Sequence, residues 1–201
     1  GSPGPQGPPG PPGSPEGIDV TIEQNVCGTK NQVVIEPETS LGPDTILVTK
    51  PLGTGSFQTD DEGDCRGDYA IDLQMSRSDD DQVAQGDYSV IAGGQNNRVV
   101  SNYSVIGGGE GNLIEGDCSH SVITGGYHNK IGGDNADFSV ISGGYMNQSE
   151  GINTSILGGR NNAIYRDTVA PTVNPFYSMI LGGRDNIIFG GVILNNTAKS
   201  H

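Results

Sequence analysis

A short repeated unit in the second half of the chain restricts its fold more than any other feature. Six copies follow the pattern Ser/Thr-x-Ile-x-Gly-Gly-x-x-Asn, and in five of them an apolar residue stands two positions after the Asn. The copies begin at Ser89, Ser104, Ser121, Ser139, Thr154 and Ser178. Successive copies start 15, 17, 18, 15 and 24 residues apart. A fixed unit at variable spacing predicts stacked coils with loops inserted on one side of the stack.

The unit is too short for a pair of helices and fits one coil of a parallel β-solenoid. Because alternate residues of a strand face opposite sides, we expect the repeated Ile to fill the interior of each coil. Its members are Ile91, Ile106, Ile123, Ile141, Ile156 and Ile180. We expect the repeated Asn to stack into a ladder of amide hydrogen bonds. Its members are Asn97, Asn112, Asn129, Asn147, Asn162 and Asn186.

The residue before each repeated Ile is expected to face away from the interior. This second column is mostly valine, and its members are Val90, Val105, Val122, Val140, Ser155 and Met179. A single chain would leave this apolar column in water. We therefore predict that further copies of the chain cover it.

The first 15 residues have the signature of a collagen triple helix. Glycine stands at every third position from Gly1 to Gly13, and proline fills most of the positions between. In collagen, three polyproline-II chains wind around one axis where only glycine fits. Because five triplets are too few to hold three chains together alone, we expect the rest of the sequence to trimerise the protein.

Composition and charge exclude several classes of protein. Of the 201 residues only 32% are hydrophobic and 33 are glycine, which argues against a wide core but suits a thin stack of repeats. The net charge of -14 repels nucleic-acid phosphates and anionic lipids, so we predict no nucleic-acid partner. No run is long and apolar enough to span a bilayer, so we predict no membrane insertion.

Repeats of this kind after a collagen-like stretch resemble the heads of viral and phage fibre proteins. They are also similar to the heads of trimeric autotransporter adhesins, whose repeat runs Ser-Val-x-Ile-Gly. The resemblance implies a trimeric left-handed parallel β-roll on a virion or cell surface. This sequence departs from the adhesin pattern, since its Val and Ile are adjacent, its Gly is doubled and its spacing is irregular.

The residues and the resemblance together predict an all-β fold. We expect a trimeric parallel β-roll or β-solenoid head with a short N-terminal collagen-like triple helix. The end of the collagen-like stalk is placed at residues 1–16, and a β connector at 17–65, where three strand-like runs are separated by turn signals. The repeat head is placed at residues 66–190 and a C-terminal tail at 191–201.

Two segments are candidate receptor contacts. One is an Arg-Gly-Asp tripeptide, which integrins bind by pairing its two charges, although a turn at the entry to the first coil explains it equally. The other is the longest insertion between copies, at residues 165–176, whose aromatic and Arg side chains are common in binding hot spots but are compatible with a tolerated bulge. The candidate residues are Arg66, Gly67, Asp68, Tyr165, Arg166 and Phe176.

No pattern points to catalysis or to a resident metal. The acidic runs at residues 60–64 and 79–81 carry the carboxylates that Ca²⁺ prefers, but neither has EF-hand spacing, so solvated loops are favoured. His120 lies near Asp117 and Cys118, but nothing groups a base, an orienting acid and an oxyanion donor. The three cysteines, Cys27, Cys65 and Cys118, fit no zinc or redox spacing. We expect reduced thiols, with disulfides between chains of an oligomer as the alternative. We predict no enzymatic activity and no cofactor, with Ca²⁺ as the one candidate ion.

The expected function is that of a homotrimeric, collagen-like surface fibre. Its head trimerises the stalk and attaches to a receptor or glycan on a host surface, from a virion or from the extracellular face of a cell. The alternative is a purely structural trimerisation or capping module in a virion surface or coat layer, without a receptor. A glycan-cleaving tailspike, which would use paired carboxylates, is a more remote alternative.

Overall fold

The protein is a stack of short β-strands. The computed structural model describes residues 63–133, 136–166 and 177–189, together with the backbone of four further strands at 19–24, 31–36, 57–58 and 192–194. In chain order the strands are β1 (Asp19–Gln24), β2 (Asn31–Glu36), β3 (Phe57–Gln58), β4 (Ile71–Asp72), β5 (Val90–Ile91), β6 (Arg98–Val99), β7 (Val105–Ile106), β8 (Leu113–Ile114), β9 (Val122–Ile123), β10 (Lys130–Ile131), β11 (Val140–Ile141), β12 (Gln148–Ser149), β13 (Ser155–Ile156), β14 (Ala163–Tyr165), β15 (Met179–Ile180), β16 (Ile187–Phe189) and β17 (Val192–Leu194). None of these described residues is helical, so this part of the chain contains no membrane-spanning helix.

The chain divides into two compact units, at residues 1–50 and 51–201. In the first unit, β1 and β2 form an antiparallel pair. These two strands coincide with two of the strand-like runs expected in the connector. The third run, at residues 45–49, and the collagen-like segment at residues 1–16 lie outside the described residues.

Two parallel sheets run along the second unit. The strands that contain the repeated Ile stack with β4 and β3 in a sheet of eight, in the order β15-β13-β11-β9-β7-β5-β4-β3. The strands that follow the repeated Asn stack in the order β14-β12-β10-β8-β6, with β16 beyond β14. Equivalent residues of successive coils lie side by side, as Val105 lies between Val90 and Val122. Parallel neighbours need a connection of about a dozen residues or more, and the repeat supplies one in every coil.

A ladder of single parallel bridges gives each coil a third side, which the repeat pattern did not predict. The bridged residues are Ser76, Gln95, Glu110, Tyr127, Tyr145, Arg160 and Arg184. The second glycine of each pair has φ between +83° and +95° and turns the chain immediately before this ladder. The Gly pair is therefore a corner between two paired segments.

The interior is a narrow column of apolar and small polar side chains. The repeated Ile is fully buried in five coils and 6% exposed at Ile180. The column inside the other sheet consists of Val99, Ile114, Ile131, Ser149, Ile164 and Ile188. Full burial of an Ile side chain contributes about 1.5–3 kcal/mol. Most coils bury two large apolar side chains in this way, and the result is a long, thin core. This core explains how a chain with so few hydrophobic residues folds.

The first coil departs from the repeat and lies near one end of the stack, with only β3 beyond its strand β4. In it Asp72 lies opposite Ile91, so a degenerate copy of the unit precedes the six clear ones. The side-chain oxygen of Gln74 accepts the backbone N–H of Asn97 at 2.9 Å, as an Asn does in later coils. At the other end, β17 pairs antiparallel with β16 and changes the direction of the sheet.

The parallel β-solenoid predicted from the repeat is confirmed, and the described residues are all-β. Parallel pairing already includes β3, before the predicted head boundary at residue 66. The trimeric state and the collagen-like triple helix stay predictions.

Candidate interaction surface

The repeated Asn forms a ladder inside the stack. The side-chain oxygen of Asn112 accepts the backbone N–H of Asn129 at 3.0 Å and its side-chain N–H at 3.1 Å. The same nitrogen of Asn129 also donates to the carbonyl oxygens of Gly125 and Gly144. Five of the six Asn side chains are at most 1% exposed, and their polar atoms bond to one another and to backbone. These contacts give the Asn column a structural role.

A column of aromatic side chains runs along the edge of the eight-stranded sheet. It consists of the residues immediately before each Ser or Thr of the repeat and the equivalent residue of the first coil, all with φ between +53° and +60°. They are Tyr69, Tyr88, Tyr103, His120, Phe138, Asn153 and Tyr177. The first five rings stack with centroids 4.8–5.1 Å apart and interplanar angles of 5–17°. Because this separation is close to the spacing of paired strands, the stacking of the coils sets the stacking of the rings.

The sequence contained a signal for this aromatic column. The position before the Ser or Thr holds Tyr, His or Phe in five of the six clear copies. A repeat defined from the Ser onward leaves that position out.

Stacking also changes the chemistry of the rings. Desolvation by the neighbouring rings, followed by the electrostatic effect of Tyr69, raises the pKa of Tyr88 above its ordinary value. The rings cover one another's faces and present mainly their edges and hydroxyls to water.

Three outward columns of the eight-stranded sheet together carry no Asp, Glu, Lys or Arg in the described coils. The first is the aromatic column. The second is Ile71, Val90, Val105, Val122, Val140, Ser155 and Met179. The third is Leu73, Ala92, Gly107, Thr124, Ser142, Leu157 and Leu181. We call these three columns the apolar face, and at about 4.8 Å per strand it is about 30 Å tall.

Arg66, from the Arg-Gly-Asp tripeptide, lies inside the stack. Its side chain is 3% exposed, its Nε donates to Asp72 at 3.3 Å, and Arg77 approaches the same carboxylate at 3.8 Å. A methyl group at Gly67 would lie 2.3 Å from the backbone of Gly86, so the tripeptide is closely packed. A turn that enters the first coil explains this packing better than a receptor contact, because the Arg neutralises a carboxylate that stands in place of a core Ile.

The second candidate contact is only partly described. Tyr165 ends β14 and is half-buried, as is Arg166. Residues 167–176, which include Phe176, lie outside the described residues. A role of this insertion in binding stays a prediction.

The described residues contain no group of three or more His, Cys, Asp or Glu side chains that could hold a metal ion. In the second acidic run, Asp81 pairs with Arg98, and the carbonyl oxygen of Asp80 accepts the N–H of Asp64. His120 is held within the aromatic column. The structure therefore gives Asp81 and His120 local partners in the fold. Residues 60–62 of the first acidic run lie outside the described residues, and a bound Ca²⁺ stays a prediction.

The expectation of reduced cysteines is wrong for Cys65, which is disulfide-bonded. Three cysteines can form one disulfide and leave one free thiol. Cys118 is such a free thiol, with no exposed surface, and it donates to the carbonyl oxygen of Glu115. Burial raises the pKa of the Cys118 thiol to about 11, so it is uncharged and a poor nucleophile at neutral pH.

The fold defines a class of protein, the parallel β-solenoids, in which stacked coils expose regular columns of side chains. No family model, curated protein or solved structure matches this chain.

Proposed function

We propose that this chain forms the head of a homotrimeric, collagen-like surface fibre. The head trimerises the collagen-like stalk and attaches to a receptor or glycan on a host surface. It acts on the surface of a virion or outside a cell. The observation that supports the trimer is the uncharged apolar face, in a chain that carries 24 acidic and 10 basic residues.

Exposure of the apolar face to water is unfavourable in free energy. The valines of its second column are half-buried, while Met179 and Leu181 are 57% and 73% exposed. Burying apolar surface contributes about 25 cal/mol per Å², and contiguous apolar patches of this kind usually mark an interaction site. Copies of the same chain can cover the face in a closed symmetric assembly. The collagen-like period at the N-terminus favours three copies.

The relief of the apolar face suits packing between identical chains. The valine column forms a ridge along the stack. Beside it, the small residues Ala92, Gly107, Thr124 and Ser142 form a shallow groove. In these four central coils a valine ridge of one chain can fit the groove of the next, because both repeat at the spacing of paired strands.

The molar mass in solution tests the proposed trimer. Light scattering on the full chain should give three times 20.8 kDa. Val122→Glu, in the middle of the apolar face, should give monomers because it places a charge in the interface. Leu113→Glu is the matched control, since Leu113 is also outward and half-buried but lies in the other sheet. A monomeric wild type, or equal effects of the two substitutions, would refute the trimer.

A purely structural trimerisation or capping module is the second candidate. The burial of Arg66 favours it, because this burial removes one of the two expected receptor contacts from the surface. Replacing residues 167–176 with a short Gly-Ser linker separates the candidates. Lost host-cell binding by an intact trimer supports attachment through this insertion. Unchanged binding places the attachment elsewhere on the head, and the absence of wild-type binding supports the structural role.

A further inference from the structure

The third side of the stack carries aromatic and basic side chains on its later coils. Tyr127, Tyr145, Arg160 and Arg184 follow one another in this ladder, and each is the bridge partner of the next. The tyrosine rings are parallel with centroids 5.3 Å apart, and the Arg160 guanidinium lies 5.0 Å from the centroid of Tyr145. We call these four residues the Tyr–Arg column.

The two arginines of this column lie side by side in a strongly acidic chain. Among the residues that the structure describes, no carboxylate pairs with Arg160. Arg184 pairs with Asp185 at 3.3 Å, and the side-chain nitrogen of Asn161 donates to the other oxygen of that carboxylate at 3.1 Å. Within the described residues Arg160 therefore has no ion-pair partner, and like charges on neighbouring strands repel each other. An anion that lies across both guanidinium groups removes this repulsion.

Further hydrogen-bond donors stand next to the column. His128 contacts the Tyr127 ring edge-on, with centroids 4.2 Å apart, and Asn161 follows Arg160 in the chain. Guanidinium groups bind carboxylate and sulfate through paired, charge-assisted hydrogen bonds. Phenol, imidazole and amide groups form neutral hydrogen bonds with the hydroxyl groups of sugars. Successive side chains are about 5 Å apart, which is close to the length of one sugar unit in an extended polysaccharide.

We infer that the Tyr–Arg column binds a linear polysaccharide that carries carboxylate or sulfate groups. The polymer lies along the stack axis, with its anionic groups on the arginines and its sugar rings along the tyrosines. Glu110 precedes Tyr127 in the same ladder, so anionic contact is confined to the last two coils. This short stretch suits a polymer with spaced charges better than a nucleic acid, which carries a charge on every unit.

This inference deepens the attachment function proposed above and rests on that proposal for its biological use. Binding itself needs the surface of only one chain. The Tyr–Arg column belongs to a different ladder from the apolar face. Covering the apolar face in a trimer therefore does not require the column to be covered.

Retention on immobilised polysaccharides tests the inference with the full chain. The probes are heparin as a sulfated polymer, hyaluronan as a carboxylated polymer and dextran as a neutral control. The wild type should bind at least one anionic probe and elute as salt increases. Arg160→Gln/Arg184→Gln should bind at least about tenfold more weakly, because two charge-assisted contacts are lost. The control Arg98→Gln/Lys130→Gln removes two charges that already pair with carboxylates, and it should bind within about twofold of the wild type.

Three outcomes overturn the inference. They are the absence of wild-type binding to both anionic probes, equal losses in the two double variants, and tighter binding to single-stranded DNA than to heparin. Light scattering on the same samples keeps this test separate from that of the trimer. A trimer that binds neither probe supports the proposed trimer and refutes the polysaccharide inference. A monomer that binds through the arginines refutes the trimer and supports the role of the Tyr–Arg column.

Discussion

Gly159 lies so close to Gly183 of the next coil that a methyl group at Gly159 would be 2.1 Å from the Gly183 carbonyl oxygen. The two glycines have nearly the same backbone conformation, with φ of +91° and +95°. Among the described residues, a methyl group at Gly183 would meet no backbone atom of a further coil, and the nearest atom is the side-chain nitrogen of Asn186 at 2.8 Å. The second glycine of the repeat thus meets two needs, a left-handed turn and the close approach of successive coils.

Gly159→Ala and Gly183→Ala should therefore differ in cost. Both force a side chain into the left-handed region, which costs about 1–2 kcal/mol. Only the first also pushes a methyl group into backbone, so we expect it to lower the free energy of unfolding by roughly 3 kcal/mol or more. Urea unfolding followed by circular dichroism measures both, at one protein concentration because oligomers gain stability with concentration. Equal losses would contradict the role of coil-to-coil contact.

The Asn ladder should tolerate a carboxylate poorly in its middle. Asn129→Asp replaces a side-chain nitrogen that donates to Asn112, Gly125 and Gly144 with an oxygen that repels them. We expect a loss of roughly 3 kcal/mol or more, since a buried charge is left without a partner. Asn186→Asp, at a half-buried position in the last coil, should cost about 1 kcal/mol because water reaches it.

The pH dependence of Asn129→Asp provides a second readout. Burial disfavours the charged carboxylate, so its pKa in the folded state should lie above its ordinary value. The folded state then binds the proton more tightly, and stability falls as the pH rises through that folded pKa. The defect should shrink as the pH is lowered towards about 4. A defect that grows in acid would argue against a buried carboxylate.

The aromatic column should stabilise the stack. Tyr103 stacks on both Tyr88 and His120 at 5.0 Å. Tyr103→Asn removes the ring but keeps a residue that tolerates the left-handed conformation, as Asn153 does in the same column. Two lost ring pairs at about 0.5–1.5 kcal/mol each predict a clear fall in the melting temperature. The reciprocal change, Asn153→Tyr, adds a ring below Phe138 and should raise the melting temperature. Opposite results in the pair would exclude ring stacking as a source of stability.

Cys118 should make the protein less stable in alkali. Its pKa is raised from 9.0 to about 11 in the folded state, so its contribution is present below pH 9 and is lost as the pH rises through 11. At about 1.4 kcal/mol per unit, this loss amounts to roughly 2–3 kcal/mol. Cys118→Ala lacks this titration, and alanine should fit because Ala136 is buried at the equivalent position of the next coil. The measurement is the difference between the two unfolding free energies from pH 9 to 11, and parallel curves would argue against a buried thiol.

Arg66 should matter for folding and not for attachment through its tripeptide. Arg66→Ala removes the closer of two guanidinium groups from the buried Asp72. Breaking a buried ion pair costs about 3–5 kcal/mol, and the loss here should lie at the lower end because Arg77 stays nearby. A soluble Arg-Gly-Asp peptide should not compete with the wild-type protein for host cells. Competition by the peptide would restore the tripeptide as a contact.

The repeat by itself determined the β-solenoid and the orientation of its most regular positions. Ile and Asn recur in every copy, and a strand places alternate residues on opposite sides, so their burial could be expected from local pattern. The aromatic column was harder to see, because the residue before the Ser varies among Tyr, His, Phe and Asn. The third ladder has a single paired residue in each coil, which is too short to show the alternation of a strand, and its side chains vary from coil to coil.

Only the tertiary structure decided which distant residues meet. Arg66 and Arg77 converge on Asp72 when the first coil closes, and Arg160 lies beside Arg184 although 24 residues separate them in the chain. Insertions of different length absorb the irregular spacing, so neighbours across coils cannot be counted from the sequence. A strand's alternation is a local property of the backbone, whereas contact between coils depends on how the whole chain winds.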